Sequence, residues 1–140
     1  MTMPAGKYFV GDLCYVMHEV WDDCCDLFFL NRKDGGCNEG EFQLKDGRRF
    51  VSINTAYGDG SYYDQLGKRY TVDAGLIGCI LLEDINLDSG DNYFHGGNII
   101  DFPNDFECHY EKNNGTIVIG HIRIETDPAY EDEEEYEEEY

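Results

Sequence analysis

Short runs of alternating apolar and polar residues fill most of this chain, and glycine, asparagine or aspartate interrupts them every few positions. That alternation has the period of a strand with one face buried. Residues 7–10 and 13–17 read as two short strands around Gly11-Asp12, with Tyr8, Val10, Tyr15 and Val16 as strand-type side chains. One stretch has the helical repeat instead. From His18 to Asn31 the residues Val20, Trp21, Cys24, Leu27 and Phe28 recur at spacings of three and four, which puts them on one helix face. Glu19, Asp22 and Asp23 open that helix and Arg32-Lys33 follow it, as the helix dipole favours, before Asp34-Gly35-Gly36 stops it. With Val20, Trp21, Cys24 and Phe28 buried on a sheet, Trp21→Ala is expected to cost ~3–5 kcal/mol.

Residues 41–45 and 48–54 read as a hairpin around Asp46-Gly47, a pair suited to a two-residue loop. Such a loop puts Phe42, Leu44, Val51 and Ile53 on one face, and a slip of one residue exchanges faces. Residues 56–64 form a Gly- and Tyr-rich segment. Residues 69–73, 77–82, 99–102, 106–111 and 116–126 read as further strands, and 83–98 as a loop. In the last strand Val118, Ile122 and Ile124 should face the core, with Arg123 and Glu125 outward. No βαβ rhythm appears, which argues against a doubly wound fold. The pattern predicts an α+β, mainly β domain over residues 1–126. Its architecture is an antiparallel sheet or small barrel-like roll of about eight short strands with one N-terminal helix.

Charge changes the picture at the C-terminus. The 140 residues hold 30 acids and 10 bases, a net charge of −20. Residues 1–124 carry all ten bases with 20 acids; residues 125–140 add ten acids and no base. Residues 127–140 are expected to be a disordered tail. A helix there would set Glu against Glu at i,i+4, and too few apolar groups are present to offset the entropy of ordering. Glu131, Asp132, Glu133, Glu134, Glu135, Tyr136, Glu137, Glu138, Glu139 and Tyr140 are the candidate partner-binding residues. So acidic a chain repels nucleic-acid phosphates and anionic membranes. A basic protein surface is the expected partner, while a tail that serves only solubility is the plainer alternative.

The start of the chain shows no apolar signal core, and the longest apolar stretch, around residues 76–82, cannot span a bilayer. A cytoplasmic setting with six reduced cysteines follows as the expectation. Four aspartates invite a chemical reading. Asp12, Asp59 and Asp73 each lie beside or within two residues of a glycine, and Asp64 follows closely. Carboxylates presented this way can gather around Ca²⁺ or Mg²⁺. Equally, each can hydrogen-bond its own turn while glycine supplies the unusual φ. Val72-Asp73-Ala74-Gly75 matches only part of an aspartic-protease loop and lacks its hydroxyl and second carboxylate. No nucleophile elbow, phosphate loop or C-x-x-C pair occurs, so no catalytic residue is assigned. Three function classes stay open: a non-enzymatic interaction module, a small metal-dependent enzyme or metal-binding domain, and a small-ligand sponge.

Three runs stand in a distinctive order: Gly11-Asp12-Leu13-Cys14-Tyr15-Val16, Tyr57-Gly58-Asp59-Gly60-Ser61-Tyr62 and Val72-Asp73-Ala74-Gly75-Leu76-Ile77-Gly78. Together they resemble a family of uncharacterised small proteins of bacteria, phages and large DNA viruses, over about residues 7–82. The resemblance implies a β-rich fold, favours a viral source and brings no catalytic residues with it. Leu13, where the family pattern has Pro, and the acidic tail depart from it.

Overall fold

In the computed structural model the described residues are 1–17, 20–30, 38–56, 58–85, 96–111 and 115–126. They form eleven strands and one α-helix: β1 (Thr2–Met3), β2 (Gly6–Gly11), α1 (Trp21–Phe29), β3 (Gly40–Gln43), β4 (Arg49–Asn54), β5 (Gly60–Tyr63), β6 (Arg69–Val72), β7 (Leu76–Leu81), β8 (Gly97–Phe102), β9 (Phe106–Glu111), β10 (Thr116–Ile119) and β11 (Ile122–Glu125). All pairings are antiparallel. They build a five-stranded sheet, β3-β4-β7-β2-β8, a four-stranded sheet, β1-β9-β10-β11, and the hairpin β5-β6. The mainly β, antiparallel expectation therefore holds. The roll of about eight strands does not: the strands form three sheets and no closed barrel. The hairpin links the two larger sheets, since Thr71 N donates to Gly96 O at 2.9 Å and Asp64 bridges to Ile124.

Two apolar layers result from alternation in the five-stranded sheet. Val10, Val51, Ile53, Ile77 and Cys79 face the four-stranded sheet and meet Phe106, Cys108, Ile117, Ile122 and Ile124. Their neighbours Phe9, Phe50, Leu76 and Ile80 face the other way, toward Cys24 and Phe28 of α1. Each large side chain buried this way contributes about 1.5–3 kcal/mol. Phe28 anchors the helix by edge contacts to Phe42, at 5.4 Å between ring centres, and to Phe50, at 6.2 Å. Asn38 closes the helix end: its side-chain amide donates to Leu27 O and Leu30 O, at 3.1 and 2.9 Å. Those are carbonyls that a helix leaves without partners. Residues 18, 19 and 31–37, with the rest of the expected helix and its stop signal, lie outside the described residues.

Several expectations need correction. Residues 13–17 are no strand: Leu13–Tyr15 is a 3₁₀ turn capped by the Asp12 side chain, which accepts from Cys14 N. The hairpin of β3 and β4 has a three-residue loop, because Leu44 pairs with Arg48 and Gly47 N donates to Leu44 O at 2.9 Å. Gly47, at φ 99°, supplies the left-handed residue that such a loop requires. The extra residue shifts the register by one, so Phe42 opposes Phe50 while Val51 points to the opposite layer. The long last strand is two strands, β10 and β11, turned at Gly120-His121. Ile122 and Ile124 are buried and Arg123 and Glu125 exposed, as expected, but Val118 opposes Arg123 on the outer face, and Ile117 and Ile119 take the core face of β10 instead. The Gly- and Tyr-rich segment contains β5. Trp21 is only half-buried, touching Phe28 edge-on at 5.7 Å.

Candidate functional site

The three runs of the sequence meet at one end of the five-stranded sheet, and Asp12 joins two of them. β2 ends at Gly11, which pairs with Gly78 on one side and Gly97 on the other. The chain then turns inward and buries the Asp12 side chain completely. Its Oδ1 accepts from Cys14 N at 3.0 Å, and its Oδ2 from Asp73 N at 2.7 Å and Ala74 N at 2.6 Å. Three backbone donors thus replace the water that a buried carboxylate has lost. The second run joins through Thr55, whose backbone N–H donates to Gly75 O at 3.0 Å. Its hydroxyl donates to Gly58 O and accepts from Gly58 N, both at 2.7 Å. Tyr62 then donates to Gly58 O at 2.8 Å. Tyr15, from the 3₁₀ turn, donates its phenol proton to the Asp73 carboxylate.

The structure brings Asp12 and the Asp73 loop together through the backbone N–H groups of Asp73 and Ala74. Asp64 sits elsewhere, at the turn joining β5 to β6. Its Oδ1 accepts from Leu66 N at 2.8 Å and Lys68 N at 2.9 Å, and its Oδ2 from the Tyr70 hydroxyl at 2.8 Å. Burial, and next the Asp64 carboxylate, raise the Tyr70 phenol well above its ordinary range, so it stays a donor. Asp59 is exposed at the other end of β5. Each buried aspartate therefore uses most of its lone pairs on hydrogen bonds within the fold. Among the described residues no three His, Cys, Asp or Glu side chains are arranged to hold a metal ion.

Cys14 and Cys24 offer no activated nucleophile. Cys14 lies beside Asp12, and burial, then that carboxylate, push its thiol up strongly. Cys24 is pushed up to about 12, chiefly by burial. The reactive form is the thiolate, so neither thiol is activated. Cys108 and His109 lie on opposite faces of β9, Cys108 buried and His109 exposed. His109 faces Glu111 at 3.2 Å, and Glu111 also receives Arg123. Arg123 first and His109 second hold the Glu111 carboxyl below its ordinary range.

An open cleft of about 420 Å³ lies on the outside of the four-stranded sheet, with Phe102 and Phe106 beside Asp105, Glu107, His109 and His121. Apart from Asp12 and Asp64, no described carboxylate is buried. Three arginines are engaged by acids: Arg48 by Asp46, Arg49 by Glu41 and Arg123 by Glu111. The exposed surface is consequently acidic even without the tail. Residues 131–140, the candidate partner-binding segment, lie outside the described residues. Sequence reasoning missed Tyr15, Thr55 and Tyr70. For Tyr70 the signal was a tyrosine close to a turn aspartate, whereas the partner of Tyr15, Asp73, lies 58 residues along the chain. No protein-family model matches the chain, and no curated protein or solved structure is significantly similar to it.

Proposed function

We propose that this chain is a non-enzymatic interaction module that presents a negatively charged surface, extended by residues 127–140, to a basic protein surface. The charge distribution carries the reading: a net −20, with acids outnumbering bases two to one even before residue 125. The two buried carboxylates supply local support, because both serve the fold and no other described acid is buried. Complementary charge of this kind steers encounter and selects partners by sign. No helix among the described residues is long and apolar enough to cross a membrane. Cys14, Cys24, Cys79 and Cys108 are free thiols, which suits a reducing compartment.

The test compares the full chain with a chain ending at Thr126 for binding to fluorescent Lys- and Arg-rich peptides, after circular dichroism shows that both fold alike. Binding that weakens on truncation supports the reading. Equal binding by the two chains assigns the partner surface to residues 1–126 alone. No binding by either contradicts the proposal. Calorimetry with Ca²⁺ and Mg²⁺ separates the metal-binding alternative: a site in the folded state would raise stability by ~2.7 kcal/mol at a hundredfold excess over Kd.

A further inference from the structure

Two cysteines outside the Asp12 junction share the core between the two larger sheets. Cys79 is on β7, flanked by Val10 of β2 and Val51 of β4. Its neighbour Ile80 points to the helix layer, so Cys79 points away from it. Cys108 is on β9, between the exposed residues Glu107 and His109, so its side chain also enters the inter-sheet layer. Both are fully buried. The two side chains hydrogen-bond each other across the layer. Two thiols from facing sheets in direct contact need little motion to join.

We propose that Cys79 and Cys108 are a redox-responsive pair that closes to a disulfide under peroxide and staples the five-stranded sheet to the four-stranded one. The hydrogen bond from Cys79 lowers the Cys108 thiol, while the same bond and burial raise Cys79. Either sulfur can open the sequence; with Cys108 first, Cys79 resolves it. Peroxide is water-sized and uncharged, which suits a dry layer. The Cys108 thiolate attacks one peroxide oxygen, the O–O bond breaks, and hydroxide leaves to be protonated to water; Cys108 becomes a sulfenic acid. The Cys79 sulfur then attacks the Cys108 sulfur, the S–O bond breaks, and the departing hydroxide takes the Cys79 proton. Two thiols and one peroxide give one disulfide and two waters. In a reducing compartment such a bond is transient. It would be a sensor state rather than a permanent strut.

The experiment treats the folded chain with hydrogen peroxide, blocks remaining thiols with an alkylating agent before unfolding, and maps peptides by mass spectrometry. The expected result is a peptide containing Cys79 linked to one containing Cys108. A Tm higher by ~10 °C, reversed by a phosphine reductant, should accompany it, as closing a loop of this length constrains the unfolded chain. A second chain carrying Cys14→Ser, Cys24→Ala, Cys25→Ser and Cys37→Ser keeps the pair alone and should form the same link. Recovery of Cys79 and Cys108 both alkylated, while other thiols are oxidised, would overturn the proposal. So would a link that forms only when the other four cysteines are present, or one that leaves Tm unchanged.

Discussion

Replacing Asp12 tests the physical account of the junction most sharply. Asp12→Ala removes the acceptor for three backbone N–H groups, those of Cys14, Asp73 and Ala74. A hydrogen bond to a charged group contributes about 1.5–3 kcal/mol. Asp73 and Ala74 are exposed residues, so their N–H groups regain some water once the carboxylate is gone. The summed loss is then ~3–5 kcal/mol, a large share of the ~5–15 kcal/mol that stabilises a typical domain. Asp12→Asn is the informative companion. Its amide oxygen can still receive Asp73 N and Ala74 N, but its NH₂ then faces the Cys14 N–H, donor against donor. That variant should lose ~1–2 kcal/mol. Urea unfolding followed by circular dichroism measures both, with the midpoint falling and the slope unchanged. An Asp12→Ala chain within ~0.5 kcal/mol of the parent would refute the clamp. Asn as damaging as Ala would show that charge, not acceptor geometry, holds the junction.

Gly78→Ala should be far more disruptive than its size suggests. The added Cβ would lie 1.9 Å from Val51 O on the neighbouring strand, and the cost should reach or exceed the upper end of the ~1–3 kcal/mol typical of overpacking; soluble yield and thermal melting check it. Tyr70→Phe deprives the buried Asp64 of its hydroxyl donor and should cost ~1–3 kcal/mol in urea unfolding; a neutral result would remove Asp64 as the support of that turn. Trp21→Ala should cost ~1–2 kcal/mol, below the ~3–5 kcal/mol of a fully buried aromatic, because Trp21 keeps part of its surface in water; a larger loss in the same assay would mean that α1 depends on it.

The fold was legible where local pattern decides it. The helix centre at Cys24 and Phe28 follows from spacing, and β9 from the alternation of Phe106 and Cys108 with Glu107 and His109. It was not legible where one residue changes the count. The loop at Lys45-Asp46-Gly47 is one longer than Asp46-Gly47 suggests, and that exchanges the faces of Phe42 and Val51. Residues 13–15 have strand-type side chains, yet the Asp12 cap makes a 3₁₀ turn cheaper there. β10 and β11 read as one strand because, of the two residues that break the apolar run Ile117–Ile122, Gly120 and His121, only Gly120 is a turn signal. The candidate site was legible as turn chemistry for Asp64, whose backbone partners lie two and four residues away. Its counterpart at Asp12 was not, because the Asp73 and Ala74 donors lie 61 and 62 residues along the chain. Only tertiary structure brings them together.

The central claim, that negative charge directed at a basic surface is what this protein offers, is tested most directly by the salt dependence of its affinity. Fluorescence anisotropy with one Lys- and Arg-rich peptide, titrated with the full chain at increasing ionic strength, gives the measurement. The account predicts affinity that falls steeply as the screening length shortens from about 10 Å at 0.1 M to about 3 Å at 1 M. Affinity that is flat across that range, or tighter binding to duplex DNA than to the basic peptide, would contradict it.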